Sequence, residues 1–354
     1  MQKPDNQIEI LKQLYLGLSE ESKQNFLHAI FEKSPDAHKN SDGGKISIDE
    51  FLQARKYRNG RPETCPFCGG KRIHKNGTVC GAQRYWCREC GKTFGDTQDT
   101  ILKYTKKDLQ VWHCYINCMI NKFSLRKSAE ICDISLHVAF AWRHKILDAL
   151  QNMMESVRLD GIVEADETFM ALSYKGCRKA ETIPHKPHRR GTKATKRGLS
   201  HEKVCIPCGI NMNGLSIAKV SNLGKPSWKD IDKVLGRKVE KGSVFVTDSF
   251  RGYDRLSYDM DVDHIRIKPK KHTNGPFNIQ LMNNYHSQLK EMVNGRFRGV
   301  ATKYLNNYIV YHNLVNFSKG TESFKEETMF SFTLSTSCSR RYVDIPKRAA
   351  IPLL

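Results

Sequence analysis

Four cysteines in two C-x-x-C pairs are the residues whose spacing most clearly indicates chemistry. Cys65 and Cys68 form one pair, and Cys87 and Cys90 form the other. Each pair can present two thiolates to one tetrahedral ion, and four protein ligands leave no open position for a substrate. A glycine follows the second cysteine of each pair, where the chain must curl around the ion. The pattern therefore predicts a structural Zn²⁺ site.

Two aspartates farther along the chain predict a second kind of metal site. Asp166 falls within the β-prone run 162–172, and Asp248 ends the apolar run that begins at residue 242. On neighbouring strands their carboxylates would offer the hard oxygen ligands that Mg²⁺ or Mn²⁺ prefers. Glu164 shares a strand face with Asp166, Glu167 faces the other side, and either could contribute to the site. Taken singly, each aspartate could instead cap a helix or form a local ion pair.

A basic insertion lies between the first two strands of this region, at residues 174–203. It is rich in Gly, Pro and His, and its charge is strongly positive. Beside a metal site, such a segment is expected to bind the phosphates of DNA. The candidate DNA-binding residues here are Arg189, Arg190, Lys193, Lys196 and Arg197.

A helix-turn-helix is predicted within residues 105–150. A short helix follows Ser124, a turn covers residues 133–135, and a longer helix runs from 136 to 150. Two helices joined by a tight turn, the second carrying basic side chains, match the DNA-reading arrangement. Arg143 and Lys145 are the candidate DNA contacts on the second helix. An ordinary helical hairpin is the alternative.

Charge and composition agree with a nucleic-acid partner. The 354 residues include 58 Lys and Arg against 37 Asp and Glu, which gives a net charge of +21. Such an excess favours a polyanionic partner, and nucleic acid is the commonest. We find no basic amphipathic helix, no apolar run long enough to cross a membrane and no secretory signal, so we expect a cytoplasmic protein.

The elements that must position these residues predict an α+β multidomain chain. Across residues 158–318 the pattern reads β, β, β, α, β, α, β, α, which resembles a ribonuclease H-like layer, a mixed sheet flanked by helices. The other predicted regions are a helical N-terminal module at 1–57, a zinc ribbon at 61–96, the helix-turn-helix region at 105–150 and a partly disordered tail at 319–354.

Over about residues 60–317 the chain resembles the DDE/N transposases of bacterial insertion sequences. It is similar to their ISXO-like group, which has an N-terminal zinc ribbon and is related to the Merlin elements. The matching segments are CPFCGG, RYWCRECGKTF, AFAWRHKIL, VEADETFM, KRGLSHEKV, VTDSFRGY and NNYHSQLKEMVNGRFRGVATKYLNNYIVYHN. The resemblance implies an enzyme that binds terminal inverted repeats, cleaves DNA with Mg²⁺ or Mn²⁺ and joins the ends to target DNA. It also implies a homo-oligomer on DNA, associated with the bacterial nucleoid.

The resemblance also implies roles for individual residues. Asp166 and Asp248 would be the first two catalytic acids, and Asn307 would be the third metal ligand. An amide oxygen is neutral and binds a hard cation more weakly than a carboxylate would, so the two aspartates would hold most of the metal charge. Many relatives carry a basic residue a few positions later, where this chain has Tyr311 followed by His312.

Glu291 is the rival third ligand. It is chemically the better ligand, and it follows His286 and Lys290 on the helix preceding Asn307. The motif favours Asn307, whose alternative interpretation is an ordinary amide on a helix surface.

Two other functions are compatible with these residues. A metal-dependent nuclease without strand transfer would need every residue named above. A non-enzymatic DNA-binding regulator derived from a transposase would need the ribbon but neither aspartate, and the presence of both argues against it.

Overall fold

The computed structural model describes residues 57–58, 61–79, 82–95, 97–98, 100–177, 196, 198–269, 271, 273–317, 321–335, 338 and 341–353. The predicted helical N-terminal module at 1–57 lies outside the described residues except for Tyr57, which belongs to a short strand. Most of the basic insertion also lies outside them, including Arg189, Arg190, Lys193 and Arg197.

The described residues form thirteen strands and eight α-helices. The strands are β1 (Tyr57–Arg58), β2 (Arg61–Pro62), β3 (Ile73–Val79), β4 (Ala82–Cys87), β5 (Thr93–Gly95), β6 (Ile162–Ala171), β7 (Lys203–Asn211), β8 (Ser216–Ala218), β9 (Asn222–Leu223), β10 (Val244–Thr247), β11 (Asp263–Arg266), β12 (Thr273–Asn274) and β13 (Phe277–Asn278). The α-helices are α1 (Leu109–Ile120), α2 (Leu125–Ile131), α3 (Leu136–Glu155), α4 (Trp228–Leu235), α5 (Gly252–Met260), α6 (Gln280–Lys290), α7 (Leu305–His312) and α8 (Glu322–Ser335). None of these helices is long and apolar enough to cross a bilayer.

The described residues fall into two compact units. The first, which we call the ribbon unit, contains residues 57–153 and 321–345, and the second, which we call the sheet unit, contains residues 154–317 and 346–353.

The sheet unit is built on a mixed six-stranded sheet. The strand order is β11-β10-β6-β7-β8, and β9 pairs with β7 beside β8. Strand β10 runs parallel to β6 and β11, whereas β7 runs antiparallel to β6 and β8. Val163 and Ala165 of β6 and Ile206 of β7 are fully buried. The α+β class with a mixed sheet flanked by helices is therefore confirmed.

Helices lie against both faces of β6, because successive side chains of a strand point to opposite sides. On one face, the Met282 amide of α6 donates to Glu164 Oε2 at 2.8 Å. On the other face, Tyr253 of α5 lies beside the Glu167 carboxylate. The alternation expected from the sequence therefore holds across the strand that carries Asp166.

The segment after α6 is less regular than a continuous helix. A π-helical turn, Glu291–Arg296, extends α6, and a 3₁₀ turn, Thr302–Tyr304, precedes α7. A second π-helical turn, Asn313–Phe317, follows α7. The predicted helix over 302–317 is thus present as three joined segments. Its start is tied to the sheet because the Thr302 amide donates to the Ser173 carbonyl at 2.8 Å.

In the ribbon unit, a small antiparallel sheet precedes a set of helices. Strand β4 pairs with β3 and β5. Ser124 Oγ accepts from the Lys127 amide and caps α2, and Ser135 Oγ accepts from the Val138 amide at the start of α3. Helices α1 and α3 pack through Trp112 and Trp142, whose rings stack with centroids 3.7 Å apart. The predicted pair of helices around a tight turn is present.

The region predicted as a partly disordered tail, 319–354, contains helix α8 and a 3₁₀ turn at Tyr342–Asp344. Met329 of α8 is fully buried, and Phe330 makes an edge contact with the His113 ring of α1. Asn117 of α1 donates to the Glu326 carboxylate at 2.9 Å. The sequence has little helical periodicity here, and α8 is stabilised by its contacts with α1, which lies about two hundred residues earlier.

Candidate metal centres and nucleic-acid interface

The four ribbon cysteines converge as their spacing predicts. Their sulfur atoms all lie within 4.8 Å of one another. Cys65 Sγ is 3.7 Å from Cys90 Sγ, and Cys68 Sγ is 3.6 Å from Cys87 Sγ. A tetrahedron of thiolates at about 2.3 Å from Zn²⁺ has edges of about 3.8 Å. The observed separations match those edges and far exceed a disulfide bond of about 2.05 Å, so the cluster could bind one zinc ion.

Two matching turns bring these sulfurs together. The Gly69 amide donates to the Cys65 carbonyl at 2.9 Å, and the Gly91 amide donates to the Cys87 carbonyl at 2.9 Å. Gly69 has φ of 72° and Gly91 has φ of 68°, a left-handed conformation that costs other residues energy. Backbone donation, chiefly from the Cys90 amide, lowers the pKa of Cys87 to about 7 and so favours its thiolate. Burial raises the pKa of Cys65, so that thiol would lose its proton as a metal binds.

The surface of the ribbon is basic. Trp86 is also exposed there, with 36% of its surface accessible. Exposed cations and an exposed aromatic ring suit contact with the sugar-phosphate backbone of DNA. The exposed basic side chains are those of Lys71, Arg72, Lys75, Arg88 and Lys92.

Arg143 and Lys145 do not lie on an exposed basic surface. Arg143 is fully buried, and its guanidinium donates to the Phe123 carbonyl at 2.8 Å and to Ser128 Oγ at 3.3 Å. Lys145 donates to the Ile101 carbonyl at 3.3 Å, and burial lowers its pKa. Both side chains therefore support the helix packing in this structure. The sequence pattern missed this because α3 buries most of its side chains between Ala139 and Leu150.

The two predicted catalytic aspartates lie side by side in the sheet unit. Asp166 is on β6, and Asp248 directly follows the parallel strand β10, in which Thr247 is paired with Ala165. Asp166 Oδ1 accepts from the Glu167 amide at 2.8 Å, and Asp248 Oδ1 accepts from the Phe250 amide at 2.8 Å. One oxygen of each carboxylate is thus held by the following backbone.

Burial and like charge make this region costly to ionise. Burial, followed by the charge of Asp248, raises the pKa of Asp166 to about 6. Burial also raises the pKa of Glu167 to about 7; the Tyr253 hydroxyl opposes that rise, and the charges of Asp166 and Asp248 add to it. Glu167 Oε1 is buried and has no hydrogen-bond partner among the described residues. Repelling hard-oxygen donors fit a divalent cation such as Mg²⁺.

Two predicted neighbours, His286 and Lys290, are close to Asp166. His286 Nδ1 lies 3.8 Å from Asp166 Oδ2. Burial, with a contribution from Lys290, lowers the pKa of His286 to about 4, so the imidazole is neutral near neutral pH. Lys290 also lowers the pKa of Asp166, against the larger effect of burial. In the part of the chain that the structure describes, no third His, Cys, Asp or Glu joins the aspartates in a group with ligand atoms within 4.8 Å of one another.

Asn307 and Glu291 have different surroundings. Asn307 is 2% exposed, and its Oδ1 accepts from Arg348 Nη1 at 2.6 Å. Arg348 also lies over the Tyr304 ring, 5.7 Å from its centroid. Glu291 is exposed and folds back over its own turn, where a β-carbon on Gly295 would fall 2.2 Å from Glu291 Oε1. Asn307 is therefore a buried, hydrogen-bonded amide rather than a surface residue.

Arg348 is the residue in this region that sequence reasoning missed. It lies in the segment 346–353, which belongs to the sheet unit, and the neighbouring Pro346 carbonyl accepts from Lys303 Nζ at 2.9 Å. No local motif marks this arginine, because its contact with Asn307 spans 41 residues of sequence.

Comparison with known proteins identifies a family and a relative to which this chain is similar. Residues 158–311 match the ISXO2-like transposase domain family. An uncharacterized protein in transposable element ISH50 of Halobacterium salinarum is 24% identical over 264 residues, which cover 73% of this chain and 86% of that protein. The predicted resemblance to ISXO-like transposases is thus confirmed.

Proposed function

We propose that this chain is a DNA transposase whose sheet unit cleaves the ends of its element and joins them to target DNA. The observation that carries the proposal is the placement of Asp166 and Asp248 on neighbouring parallel strands within the residues that match a transposase domain. The strand order β11-β10-β6-β7-β8, with only β7 antiparallel to the rest of that path, supports a ribonuclease H-like fold.

In this proposal, Asp166 and Asp248 hold the catalytic Mg²⁺ or Mn²⁺, and Asn307 completes the ligand set. Bound metal would supply charge stabilisation at the transferring phosphoryl group and activation of the attacking water. Without a cation, the charge of one carboxylate makes ionisation of the other costly. A bound cation would offset this repulsion, so the pair favours metal binding. His286 stays neutral and fills the space beside Asp166, while Lys290 adds a positive charge near the carboxylates.

The reaction needs no covalent intermediate with the enzyme. Water attacks the phosphodiester at the transposon end, its proton passes to solvent, and the strand breaks to leave a free 3′-OH. That hydroxyl then attacks a phosphodiester of target DNA, forms the new bond and displaces the target strand's own 3′ oxygen. Two DNA ends must be held together for joining, so we expect a dimer or larger assembly.

DNA recognition in this proposal belongs to the zinc-loaded ribbon, the α2–α3 hairpin and the basic insertion. Arg126 and Lys127 are exposed on α2, in contrast to the buried Arg143 of α3. Lys196 of the insertion is also exposed. These cations, with the basic face of the ribbon, would contact the phosphates of the terminal inverted repeats.

A strand-transfer assay tests the proposal. The full-length protein would be incubated with Mg²⁺, a labelled duplex carrying the element's own terminal sequence, and supercoiled target plasmid. We expect labelled ends joined to the plasmid. Free nicked ends without joined product would indicate a nuclease, and specific binding without any cleavage would indicate a regulator.

A further inference from the structure

Three more cysteines converge in the helices of the ribbon unit. Cys114 and Cys118 lie one turn apart on α1, and Cys132 directly follows α2. Cys132 Sγ is 3.5 Å from Cys114 Sγ and 3.9 Å from Cys118 Sγ. All three sulfur atoms lie within 4.8 Å of one another. The sequence showed these residues only as scattered cysteines, because the convergence depends on how α2 packs against α1.

The separations suit a shared metal ion. Three thiolates at about 2.3 Å from one cation lie about 3.8–4.0 Å apart, whereas a disulfide needs about 2.05 Å. Among the described residues no His, Asp or Glu ligand atom joins this group, so its donors are all sulfur. Sulfur donors alone favour soft cations over Mg²⁺ or Ca²⁺.

Ordinary packing explains other buried cysteines better than it explains these. Cys205 and Cys208 lie on β7 with their side chains fully buried, and Cys208 Sγ contacts the Ile206 carbonyl at 3.2 Å. Each fills a core position that another small apolar residue could fill. At the α1–α2 contact, by contrast, thiols from two helical segments converge on one point.

The burial of the group also suits metal uptake. Cys118 is 2% exposed and Cys132 is 6% exposed, while Cys114 is only half-buried. The half-buried Cys114 is partly accessible to an ion from solvent, and the two buried thiols would shield the ion once it is bound.

We propose that Cys114, Cys118 and Cys132 form a second metal site, which binds one soft d¹⁰ cation such as Cu⁺ or Zn²⁺ through three thiolates. Each thiol loses its proton to solvent as its bond to the metal forms. The bound ion would link the middle of α1 to the end of α2 and so fix α1 against the α2–α3 hairpin.

Cadmium titration of the reduced, metal-stripped full-length protein tests this site, because thiolate-to-Cd²⁺ charge transfer absorbs in the ultraviolet. The wild type should bind one Cd²⁺ per cysteine group, two in all. Cys132→Ser and the ribbon variant Cys87→Ser should each lose one equivalent, and the double variant should lose both. Cys177→Ser, which replaces a half-buried cysteine outside both groups, should keep both equivalents.

Folding and oxidation are controlled separately. If circular dichroism shows that Cys132→Ser has lost helix, Cys114→Ser replaces it, because the half-buried position tolerates change better. The proposal is overturned if the reduced wild type binds only the one Cd²⁺ of the ribbon. It is also overturned if Cys114→Ser and Cys132→Ser both keep two Cd²⁺ equivalents. A third outcome would also overturn it: a Cys114–Cys132 disulfide in the isolated protein, together with only one Cd²⁺ bound after reduction. These cysteines would then form a redox pair and not a metal site.

Discussion

The four-cysteine site of the ribbon and the two-aspartate site of the sheet are assembled in opposite ways. In the ribbon, two tight glycine turns in neighbouring sequence set sulfur separations of 3.6 and 3.7 Å. In the sheet, pairing of β6 with β10 brings together residues from distant parts of the chain, and their charges repel one another. The ribbon ligands are thus arranged to bind an ion as part of the fold. The carboxylates are arranged so that a cation would relieve their repulsion, which is what the proposed catalytic role requires.

Substitution of the two aspartates is expected to have the largest effect on activity, and it tests the contrast most directly. Asp166→Asn and Asp248→Asn should each lower the cleavage rate by at least about a thousandfold, because a metal ligand that stabilises transition-state charge is lost. Affinity for terminal DNA should change less than about twofold, because binding depends on the basic surface. Single-turnover cleavage and gel-shift titration measure the two quantities.

Asp263→Asn is the matched control for the aspartates. Asp263 is an exposed carboxylate on β11, in the same sheet. It should leave both cleavage and binding unchanged. Wild-type cleavage by either Asn variant of Asp166 or Asp248 would show that the carboxylate concerned is structural.

Asn307 should give the next largest effect. Asn307→Ala should lower cleavage by about a hundredfold through loss of one neutral metal ligand, whereas Glu291→Ala should leave it near wild type. Asn307→Asp should keep part of the activity. Equal losses in the alanine variants of Asn307 and Glu291 would contradict this assignment. Arg348→Ala provides a further comparison, because it removes the guanidinium that binds Asn307 Oδ1 without removing the amide.

The contrast between the two sites also explains how much the sequence could predict. The convergence of the four ribbon cysteines could be predicted from the sequence, because these residues and their glycine turns lie close together in the chain. The adjacency of Asp166 and Asp248 required the strand pattern and the family resemblance, since β6 and β10 are separated in the chain by three other strands of the same sheet and a helix.

Contacts between distant segments left no local signal. Helix α8 depends on α1, and the Asn307–Arg348 hydrogen bond depends on how the last residues return to α7. Arg143 was expected on an exposed DNA-binding face but is buried against the Phe123 carbonyl. The sequence pattern of a basic residue on a helix is the same in both cases. The cysteine group of α1 and α2 required the packing of two helices.

A ribbon variant should weaken DNA binding without affecting the cleavage chemistry, which would distinguish the role of the ribbon from that of the aspartates. Cys87→Ser should remove one zinc equivalent and weaken binding to terminal DNA by about tenfold, because the ribbon no longer holds its basic face in place. Elemental analysis and gel-shift titration measure these changes. Full retention of zinc in this variant would remove the cysteine from the ligand set. Cys177→Ser serves as the control.

The last predicted effect is on stability in the metal-free protein, and it tests whether the ionisation of Asp166 is costly. The pKa of Asp166 is raised in the folded protein from 3.8 to about 6, mainly by burial and then by Asp248. A raised folded-state pKa means that protonation stabilises the fold. That contribution is complete below about pH 4 and is lost as pH rises through about 6.

Thermal unfolding of the wild type and Asp166→Asn in EDTA, at about pH 4.5 and about pH 7.5, measures this loss. A shift of about two pKa units corresponds to at most about 3 kcal/mol, so the melting temperature of the wild type should fall relative to the variant by roughly 5 °C between the two pH values. Packing effects of the substitution cancel because they do not depend on pH. Adding Mg²⁺ at the higher pH should raise the melting temperature of the wild type but not that of Asp166→Asn, since the cation offsets the charges that repel. An unchanged difference across this range would mean that Asp166 ionises without cost, and the contrast with the ribbon would then lose its electrostatic basis.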